Sequence, residues 1–372
     1  MLKRICFVTT GDIKNNAAAK RALGMATPLS DIGWRVYIIM EDSKENRHRV
    51  SLECDGRTRV FYCPSSSVLK EVIMKKRILA KIKPDYIYLC AFVFRNIVPL
   101  SLKCKKLVEH SELLSKVCHR KMIRRIFDGI LEYCSIIYAD GLLNASKYLQ
   151  NTYIQRMNRV PFINNKPMLY FPYAYNSRQM QIRVGQLPEF KTNADKTYFV
   201  YLGTIARNYG IFTIIEAAKK LKETHPGFCV IVLGYGKDYG NAVKLVEEYG
   251  LNDNVYMHGF VEEEKIASYF SLASAFISPM NDTVQDWARC PSKLYMYLPY
   301  GKPVITCRIG EPLLVLGDSG LYYLPDDSSS LKEQMKRVMN NDFASLNVNP
   351  LLHTWEARAA AFNEWINEYV EN

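Results

Sequence analysis

Two cationic side chains flank the predicted start of a helix late in the chain. Pro291 suits the first turn of a helix, because its missing N–H would be unpaired there. Arg289 and Lys293 lie two residues to either side of it. The positive end of a helix dipole repels cations, so the arrangement makes sense if an anion binds there, held by backbone N–H groups and both side chains. The pattern therefore indicates a site for a phosphate-bearing ligand; the alternative is that both cations simply face solvent.

The segments around this helix predict a strand–loop–helix–strand unit. Residues 275–279 have the apolar content of a buried strand, and residues 280–290 form a long polar loop. The helix is predicted to end near Gly301, and residues 303–306 are predicted to form the next strand. Long loops at strand ends of compact α/β domains usually carry function. The loop therefore supports a ligand site at this end of the unit.

Strands and helices alternate along the whole chain, which indicates an α/β fold class. The predicted strands cover residues 5–9, 35–40, 59–62, 86–89, 106–109, 141–144, 198–202, 228–233, 255–258 and 275–279. Such alternation implies parallel sheets with helices on both faces. We predict two Rossmann-like doubly wound domains, residues 1–175 and 190–350, facing a cleft where ligands bind beyond the strand ends. Residues 351–372 are predicted to form a helix that packs back toward the first domain.

Composition narrows the class of protein. The 372 residues are 48% hydrophobic, enough to bury two cores. The ten cysteines stand singly without metal-ligand spacing, which predicts reduced thiols, a cytoplasmic location and no metal site. The first residues do not resemble a signal peptide, and no apolar run approaches the length of a membrane span.

Positive charge is concentrated in the first half of the chain. Residues 1–170 carry 30 Lys and Arg against 14 Asp and Glu, whereas the remaining residues carry 19 against 23. One cluster, made of Arg120, Lys121, Arg124 and Arg125, alternates with apolar residues in an amphipathic pattern. Such a pattern favours peripheral binding to an anionic membrane surface; the alternative is a solvated helix face. No nucleic-acid reader motif is present, so nucleic acid is not an expected partner.

Several sequence pieces stand in a fixed order along the chain. They are Pro-Ser-Lys-Leu-Tyr and Gly-Lys-Pro-Val-Ile within 291–305, Val-Leu-Gly-Tyr-Gly at 232–236, His-Gly-Phe at 258–260, Leu-Gly at 202–203 with Tyr-Gly-Ile at 209–211, and two weaker segments at 139–146 and 354–356. In this order they resemble the GT-B glycosyltransferases of family 4, which are retaining enzymes that use nucleotide-sugar donors. The likeness covers nearly the whole chain and implies the GT-B architecture.

The resemblance implies a donor site in the second domain. Gly234 and Gly236 follow a strand and lack side chains, so backbone there can approach a nucleotide closely, although a lone Gly-x-Gly is more often a turn. Main-chain groups near Phe260 would hold the base. The other donor-binding residues that we predict are Gly203, Arg207, Arg289, Ser292 and Lys293.

The resemblance also implies contacts from the first domain. Gly11 corresponds to a glycine loop that approaches the donor, and Asn15 and Asn16 in that loop hydrogen-bond a substrate or cap a helix. His110 matches a family histidine beside the donor sugar, where a neutral imidazole can hydrogen-bond a hydroxyl or assist the leaving group. Glu109 and Glu112 flank this histidine, and either is predicted to contact the acceptor or to cap the following helix.

The chain departs from the family at four donor positions. The two glutamates that the family places eight positions apart are replaced by Ala288 and Met296, whose side chains cannot accept hydrogen bonds. Thr204 and Tyr209 replace a family arginine and lysine. We predict that Arg207 supplies one replacement cation, and that two aspartates of the polar loop, Asp282 and Asp286, substitute for the carboxylate near the transferred sugar.

The function implied is a retaining glycosyltransferase that moves a sugar from a nucleotide-sugar donor to a lipid-linked or surface-glycan acceptor. The diphosphate would be neutralised by Arg207, Arg289 and Lys293, without a metal or another cofactor. The alternative is a noncatalytic glycosyltransferase-like subunit that binds glycan or a partner transferase, which the two lost glutamates favour. A nucleotide-sugar epimerase, which shares the two-domain plan, is a third reading.

Overall fold

The computed structural model describes residues 2–13, 18–97, 102–117, 120–160, 165–177, 187 and 190–371. The strands are β1 Arg4–Val8, β2 Arg35–Glu41, β3 Arg59–Cys63, β4 Tyr86–Leu89, β5 Lys105–His110, β6 Gly141–Asn144, β7 Met168–Tyr170, β8 Thr197–Leu202, β9 Phe228–Leu233, β10 Val255–Gly259, β11 Ala275–Ser278, β12 Val304–Thr306 and β13 Leu321–Tyr322. The helices are α1 Ala18–Asp31, α2 Lys44–Glu53, α3 Val68–Ile82, α4 Met122–Tyr138, α5 Lys147–Met157, α6 Ile211–Lys222, α7 Tyr239–Glu248, α8 Glu263–Ser271, α9 Val284–Ala288, α10 Ser292–Tyr297, α11 Gly310–Leu316, α12 Ser328–Met339 and α13 Trp355–Trp365. The chain divides into two compact units, which we call the first unit (residues 1–175, 288–290 and 351–372) and the second unit (176–287 and 291–350).

The first unit contains a seven-stranded parallel sheet in the order β3-β2-β1-β4-β5-β6-β7. Successive strand residues point to opposite faces, so the sheet builds a core on each side. Phe7 and Leu107 face a core that includes α1 and α13, whereas Val8 and Val108 face a core that includes α5. Both faces of the sheet are therefore buried, as the near-continuous apolar strands require.

The C-terminal helix α13 completes one of these cores. Thr354 caps the helix, because its hydroxyl accepts a hydrogen bond from the backbone N–H of Ala357 at 3.1 Å. A Cβ atom at Gly24 of α1 would overlap the Trp355 ring, so the glycine permits the close approach of α1 and α13. Helix α13 thus packs as an integral part of the first unit.

The second unit contains a six-stranded parallel sheet in the order β10-β9-β8-β11-β12-β13. Phe199 and Val230, on neighbouring strands, share one core with Ile214 of α6 and Leu331 of α12. The strand order reverses direction on either side of β8. Ligands of such sheets bind outside the carboxyl ends of the strands near that reversal, so a ligand is expected at the loops that follow β8, β9, β10 and β11.

Most predicted elements are present, and the differences concentrate near Pro291. The structure confirms two Rossmann-like doubly wound sheets. Pro291 is the N-cap of α10 rather than a residue of its first turn, and α10 has only 6 residues before a 3-10 turn that ends at Gly301. The predicted polar loop contains a short helix, α9. Among the described ranges, no helix is long and apolar enough to cross a membrane.

Candidate functional site

The structure brings Lys293 and Gly203 together in the second unit. Lys293 lies on the first turn of α10, and its Nζ atom is 4.1 Å from the centroid of the Tyr201 ring. A Cβ atom at Gly203 would lie 3.2 Å from this Nζ, so the ammonium group covers the loop that follows β8. Ser292 begins the same helix. A fixed positive charge thus lies at the carboxyl end of a central strand, where a phosphate-bearing ligand is expected.

The glycines after β9 allow close packing against the loop that follows β8, a contact that was not predicted from the sequence. A Cβ atom at Gly234 would overlap the carbonyl oxygen of Gly203, and one at Gly236 would overlap that of Ile205. The backbone N–H of Gly234 also donates to the carbonyl of Gly259 at 2.7 Å. The space beside both glycines is filled by neighbouring loops. The local need for glycine therefore comes from loop–loop packing, and a role of these residues in nucleotide binding stays a prediction.

Two exposed aromatic rings lie on the loops that follow β9 and β10. Tyr235 is 64% exposed and Phe260 is 58% exposed. The Tyr235 ring packs 4.9 Å from that of Tyr239, which in turn donates a hydrogen bond to the carbonyl of Met257. Exposed rings next to a candidate phosphate site suit the stacking of a nucleobase. Sequence reasoning selected Phe260 but missed Tyr235, although its place between two glycines after a strand was a usable signal.

Arg207 lies in a 3-10 turn at Arg207–Tyr209. Its backbone N–H donates to Asp238 at 2.8 Å, and its guanidinium group lies 4.7 Å from the centroid of the Phe212 ring. The side chain is exposed on the surface of the second unit. The Arg207 backbone is therefore held by Asp238 of the loop between β9 and α7, and its guanidinium group stacks on Phe212 of α6.

The two predicted loop carboxylates differ sharply in environment. Asp286 is 2% exposed, and its Oδ2 atom accepts the backbone N–H of Asn281, which fixes the turn before α9. Asp282 is exposed, and its Oδ1 atom accepts the indole N–H of Trp287 at 2.8 Å. Asp282 also lines a cavity of about 380 Å³. Asp286 thus has a structural function in its loop, whereas Asp282 reaches open space.

Arg289 was predicted in the donor-binding domain, but the structure groups it with the first unit. Residues 288–290 belong there: Ser146 donates a hydrogen bond to the carbonyl of Ala288 at 2.6 Å, and Tyr173 donates its backbone N–H to Cys290 Sγ at 3.2 Å. Arg289 itself is 9% exposed. The two cations that flank Pro291 therefore belong to different units. The second domain was predicted as the continuous range 190–350, whereas residues 288–290 group with the first unit.

His110 ends β5 in the first unit and is buried. Its Nε2 atom is 3.1 Å from Ser135 Oγ, and its ring stacks on Tyr153 with centroids 3.8 Å apart. Ser135 donates its own proton to the carbonyl of Glu132, so its oxygen accepts the Nε2 proton of the imidazole. Burial, assisted by the charge of Arg156, lowers the pKa of His110 to about 3. The imidazole is therefore neutral, the form that the predicted role needs.

Next to His110, Glu109 was expected to contact the acceptor or to cap the following helix, but it forms a buried ion pair. Glu109 accepts from Arg21 Nε at 2.8 Å, with side-chain exposures of 3% and 4%, and also from the hydroxyl of Tyr88 at 3.0 Å. Burial lowers the pKa of Arg21, but the charge of Glu109 more than offsets this and raises it. Glu112, further along, is exposed. The carboxylate nearest His110 in sequence is therefore a core residue.

The Gly11 loop is held by a buried amide. Asn46 is 0% exposed; its side-chain oxygen accepts the backbone N–H of Ile13 at 2.9 Å, and its amide donates to the Gly11 carbonyl at 3.3 Å. Gly11 has a φ of +77°, a conformation that favours glycine. The loop geometry is thus specified up to Ile13. Asn15 and Asn16 lie outside the described residues.

The basic cluster lies at the start of α4, and internal contacts neutralise part of its charge. Arg120 and Arg124 both pair with Asp128, which is 2% exposed, at 2.5 and 3.2 Å. Arg125 donates to the carbonyl of Ser115, and Lys121 is the exposed N-cap residue. The same helix presents an apolar stripe, defined as the exposed Met122, Ile123, Ile126, Ile130 and Ile137. This stripe follows helical spacing, and the sequence reading did not predict that it stays uncovered.

No metal centre is apparent in the part of the chain that the structure describes, where no three His, Cys, Asp or Glu side chains are grouped to hold an ion.

Comparisons with known proteins define the class of the second unit. Residues 186–360 match the profile of the family described as Glycosyl transferases group 1. This segment, which includes most of the second unit, is therefore a glycosyl transferases group 1 domain. The chain is 27% identical over 148 residues to the putative colanic acid biosynthesis glycosyltransferase WcaL of Escherichia coli K12, covering 39% of this chain and 36% of the relative. The matched part thus spans about a third of the length of that relative.

Solved structures match along nearly the whole chain. Sucrose-phosphate synthase from Thermosynechococcus elongatus has a TM-score of 0.74 at 18% identity, and 98% of each chain is covered. The Anabaena protein HepE, in complex with UDP and glucose, has a TM-score of 0.73 at 14% identity, covering 99% of this chain and 100% of HepE. At these identities the likeness shows the fold alone, and it confirms the predicted GT-B fold.

Proposed function

We propose that this protein is a retaining glycosyltransferase that moves a sugar from a nucleotide-sugar donor to a glycan or lipid-linked acceptor in polysaccharide synthesis. The observation that carries the proposal is the Lys293 ammonium group over the Gly203 loop, at the carboxyl end of β8. The glycosyl transferases group 1 domain and the named activity of WcaL support it. The UDP and glucose bound to HepE support a nucleotide sugar as donor.

In this proposal the second unit binds the donor. Lys293 neutralises a phosphate of the diphosphate, and Arg207 supplies further positive charge; the role of Arg289, which belongs to the first unit, stays a prediction from the sequence. Tyr235 and Phe260 present the exposed rings on which the base stacks. The cations together replace a metal ion in stabilising the charge that develops on the leaving diphosphate.

The transfer step forms one glycosidic bond and breaks another. The acceptor hydroxyl oxygen attacks the anomeric carbon from the face on which the diphosphate departs, so the configuration is retained. The bond from the anomeric carbon to the phosphate oxygen breaks, and that oxygen takes the hydroxyl proton. Neutral His110 hydrogen-bonds the donor sugar, Asp282 accepts from a sugar hydroxyl, and Glu112 contacts the acceptor. These assignments rest on the family resemblance, together with the neutral state of His110 described above.

A noncatalytic subunit that binds glycan or a partner transferase is the second candidate. The observation that favours it is the replacement of both family glutamates, by Ala288 and Met296. The two candidates differ in whether the protein binds a nucleoside diphosphate.

Nucleotide binding tests the proposal through Lys293. At least one nucleoside diphosphate among UDP, GDP, ADP and dTDP should raise the melting temperature, because a ligand that binds only the native state stabilises it. Lys293→Ala should weaken that binding about 10- to 100-fold, since hydrogen bonds to charged groups contribute roughly 1.5–3 kcal/mol. Thermal shift and calorimetry with each nucleotide provide the measurement.

The control for this experiment is Lys302→Ala, which removes an exposed lysine of the same unit and should leave affinity unchanged. Equal affinity of Lys293→Ala and the unmodified protein would show that the phosphate lies elsewhere. If none of the four diphosphates shifts the melting temperature, the noncatalytic alternative replaces the proposal.

We also propose that α4 binds the anionic inner face of a membrane, which brings a lipid-linked acceptor to the enzyme. The apolar stripe supports this: Ile123 is 83% exposed and Ile126 is 60% exposed. Lys121 lies directly beside them, and a cation near an anionic bilayer contributes about 1 kcal/mol. An amphipathic helix with basic flanks binds in the interface plane by burying such a stripe.

Vesicle binding tests this surface. Ile123→Ser with Ile126→Ser should lower partitioning to phosphatidylglycerol-containing vesicles by at least about tenfold, because burying one isoleucine contributes roughly 1.5–3 kcal/mol. Sedimentation with vesicles provides the measurement. The matched control is Leu351→Ser with Leu352→Ser, two leucines of the first unit that are 69% and 63% exposed. Equal binding to neutral vesicles, or equal loss in the control, would contradict an anionic membrane surface at α4.

A further inference from the structure

A second group of polar and aromatic side chains surrounds the cavity of about 380 Å³ in the second unit. Its lining includes Asp282, Trp287, Arg308, Tyr322, Tyr323 and Ser330. The volume lies within the range of ligand pockets. All of these residues belong to the second unit, so the cavity is a property of that unit alone.

The cavity lies at the ligand-binding edge of the sheet, but beyond different strands from the candidate nucleotide site. Its lining residues follow the ends of β11, β12 and β13. Tyr235 and Phe260 follow β9 and β10, on the other side of β8 in the strand order. Because ligands of parallel sheets bind outside the carboxyl strand ends, one edge of this sheet offers two neighbouring regions to a ligand.

The cavity lining combines aromatic rings with charged groups that accept and donate hydrogen bonds. Trp287 and Tyr322 provide aromatic surface, Asp282 provides an acceptor and Arg308 provides donors. The Arg308 guanidinium lies 4.5 Å from the centroid of the Tyr322 ring. Among the described residues, its carboxylate partner is the fully exposed Asp318 at 3.9 Å, a distance too long for a hydrogen bond. The guanidinium donors therefore remain available to a ligand.

The cavity side chains are held in place before any ligand arrives. A Cβ atom at Gly310, where φ is +55°, would lie 3.1 Å from the carbonyl oxygen of Trp287, so α9 and the start of α11 pack closely. The Trp287 indole is tied to Asp282 at 2.8 Å, and Ser330 accepts the backbone N–H of Leu324 at 3.0 Å. Such preorganisation lowers the cost of binding.

We infer that this cavity binds a saccharide ring. A pyranose presents an apolar C–H face to an aromatic ring and, at its edge, hydroxyl groups that both donate and accept hydrogen bonds. Asp282 and Arg308 together satisfy such hydroxyls. A purely apolar ligand would cover the Arg308 donors and the second Asp282 oxygen without pairing them, and a phosphate would be repelled by Asp282. The saccharide is the donor sugar or a sugar unit of the acceptor glycan; naming these two sources rests on the proposed function.

Trp287 provides a direct reporter for the test. The chain has 4 tryptophans, and Trp287 is the one within the second unit. Its emission is to be titrated with the methyl glycosides of glucose, galactose, N-acetylglucosamine and glucuronic acid, and with UDP and UDP-glucose. At least one saccharide should change the emission saturably, and Trp287→Phe should abolish the change. Arg308→Ala should weaken this binding at least about tenfold, as truncation of a central contact does.

The matched control is Arg337→Ala, an exposed arginine on α12, which should bind as the unmodified protein does. A response to UDP-glucose but not to UDP or free glycosides assigns the cavity to the donor sugar, whereas a response to free glycosides assigns it to the glycan. The inference is overturned if no saccharide changes the emission, if the change persists in Trp287→Phe, or if Arg308→Ala binds equally well. The free-glycoside titrations and the Trp287→Phe and Arg308→Ala comparisons do not require nucleotide binding, so failure there differs from failure of the proposed function, which is tested by binding of the nucleoside diphosphates.

Discussion

Replacing Gly234 with alanine should strongly destabilise the second unit. The new Cβ atom would overlap the backbone oxygen of Gly203, which cannot rotate away as a side chain does. Overpacking of this kind costs about 1–3 kcal/mol. The φ of +141° at Gly234 adds strain that an L-residue does not tolerate well. Because the Gly203 loop carries the candidate phosphate site, we also expect nucleotide binding to be lost at temperatures where the variant is still folded.

The control for Gly234 is another glycine of the same unit. Gly250 has a φ of +61° but open space around its Cβ position, so Gly250→Ala introduces backbone strain without a clash. Urea unfolding followed through Trp287 emission measures both variants in the second unit, which matters because a two-unit chain need not unfold in one step. If both substitutions lower the free energy of unfolding equally, the overlap with the Gly203 loop adds nothing to the destabilisation by Gly234→Ala.

Removing either partner of the Arg21–Glu109 pair should be the most damaging change in the first unit. Glu109→Leu leaves a guanidinium in a site where 4% of the side chain is exposed. Breaking a buried pair in this way typically costs about 3–5 kcal/mol, since the remaining charge is uncompensated. The Tyr88 hydroxyl loses its acceptor as well. Urea unfolding followed by the emission of Trp34, Trp355 and Trp365 reports on this unit.

A double-mutant cycle separates the pair from the loss of packing. Arg21→Met combined with Glu109→Leu should recover much of the stability that either single change removes, because no buried charge is left unpaired. The exposed pair Arg47–Asp42 is the matched control; Arg47→Met should leave the unfolding midpoint nearly unchanged. Additive effects of the two core substitutions would contradict direct coupling between Arg21 and Glu109.

The α/β architecture was predictable because strand and helix periodicities are local properties of the sequence. Strand β9 begins and ends at the predicted residues, 228 and 233, since its apolar run lies between Gly227 and Gly234. Helix α9 was missed because it is short and lies within a polar segment whose pattern matches a loop. Local pattern therefore identified the long elements and failed at the short ones near the candidate site.

Residues whose function depends on distant partners were harder to predict. Glu109 is paired with Arg21, 88 residues earlier in the chain, and no local pattern joins them. Arg289 stands two residues from Pro291, yet it groups with the other unit through contacts made by its neighbours. Gly234 was predicted to let the backbone approach a nucleotide; the close approach that the structure shows is that of the Gly203 loop, and the nucleotide contact stays a prediction. Tyr235 stands between two glycines after a strand, a sequence signal that was not used, and its 64% exposure is seen only in the structure.

The second unit is inserted into the first, because residues 351–372 return to complete the core that contains α1. During translation, the ribosome therefore releases every strand of the first sheet long before helix α13 is synthesised. Until then, the surface that receives Trp355 and Phe362 is exposed on the nascent chain, while the inserted unit already has all of its strands. Maturation of the first unit is thus coupled to the synthesis of residues 351–372, and a nascent chain interrupted before residue 351 exposes an apolar surface that chaperones and proteases recognise.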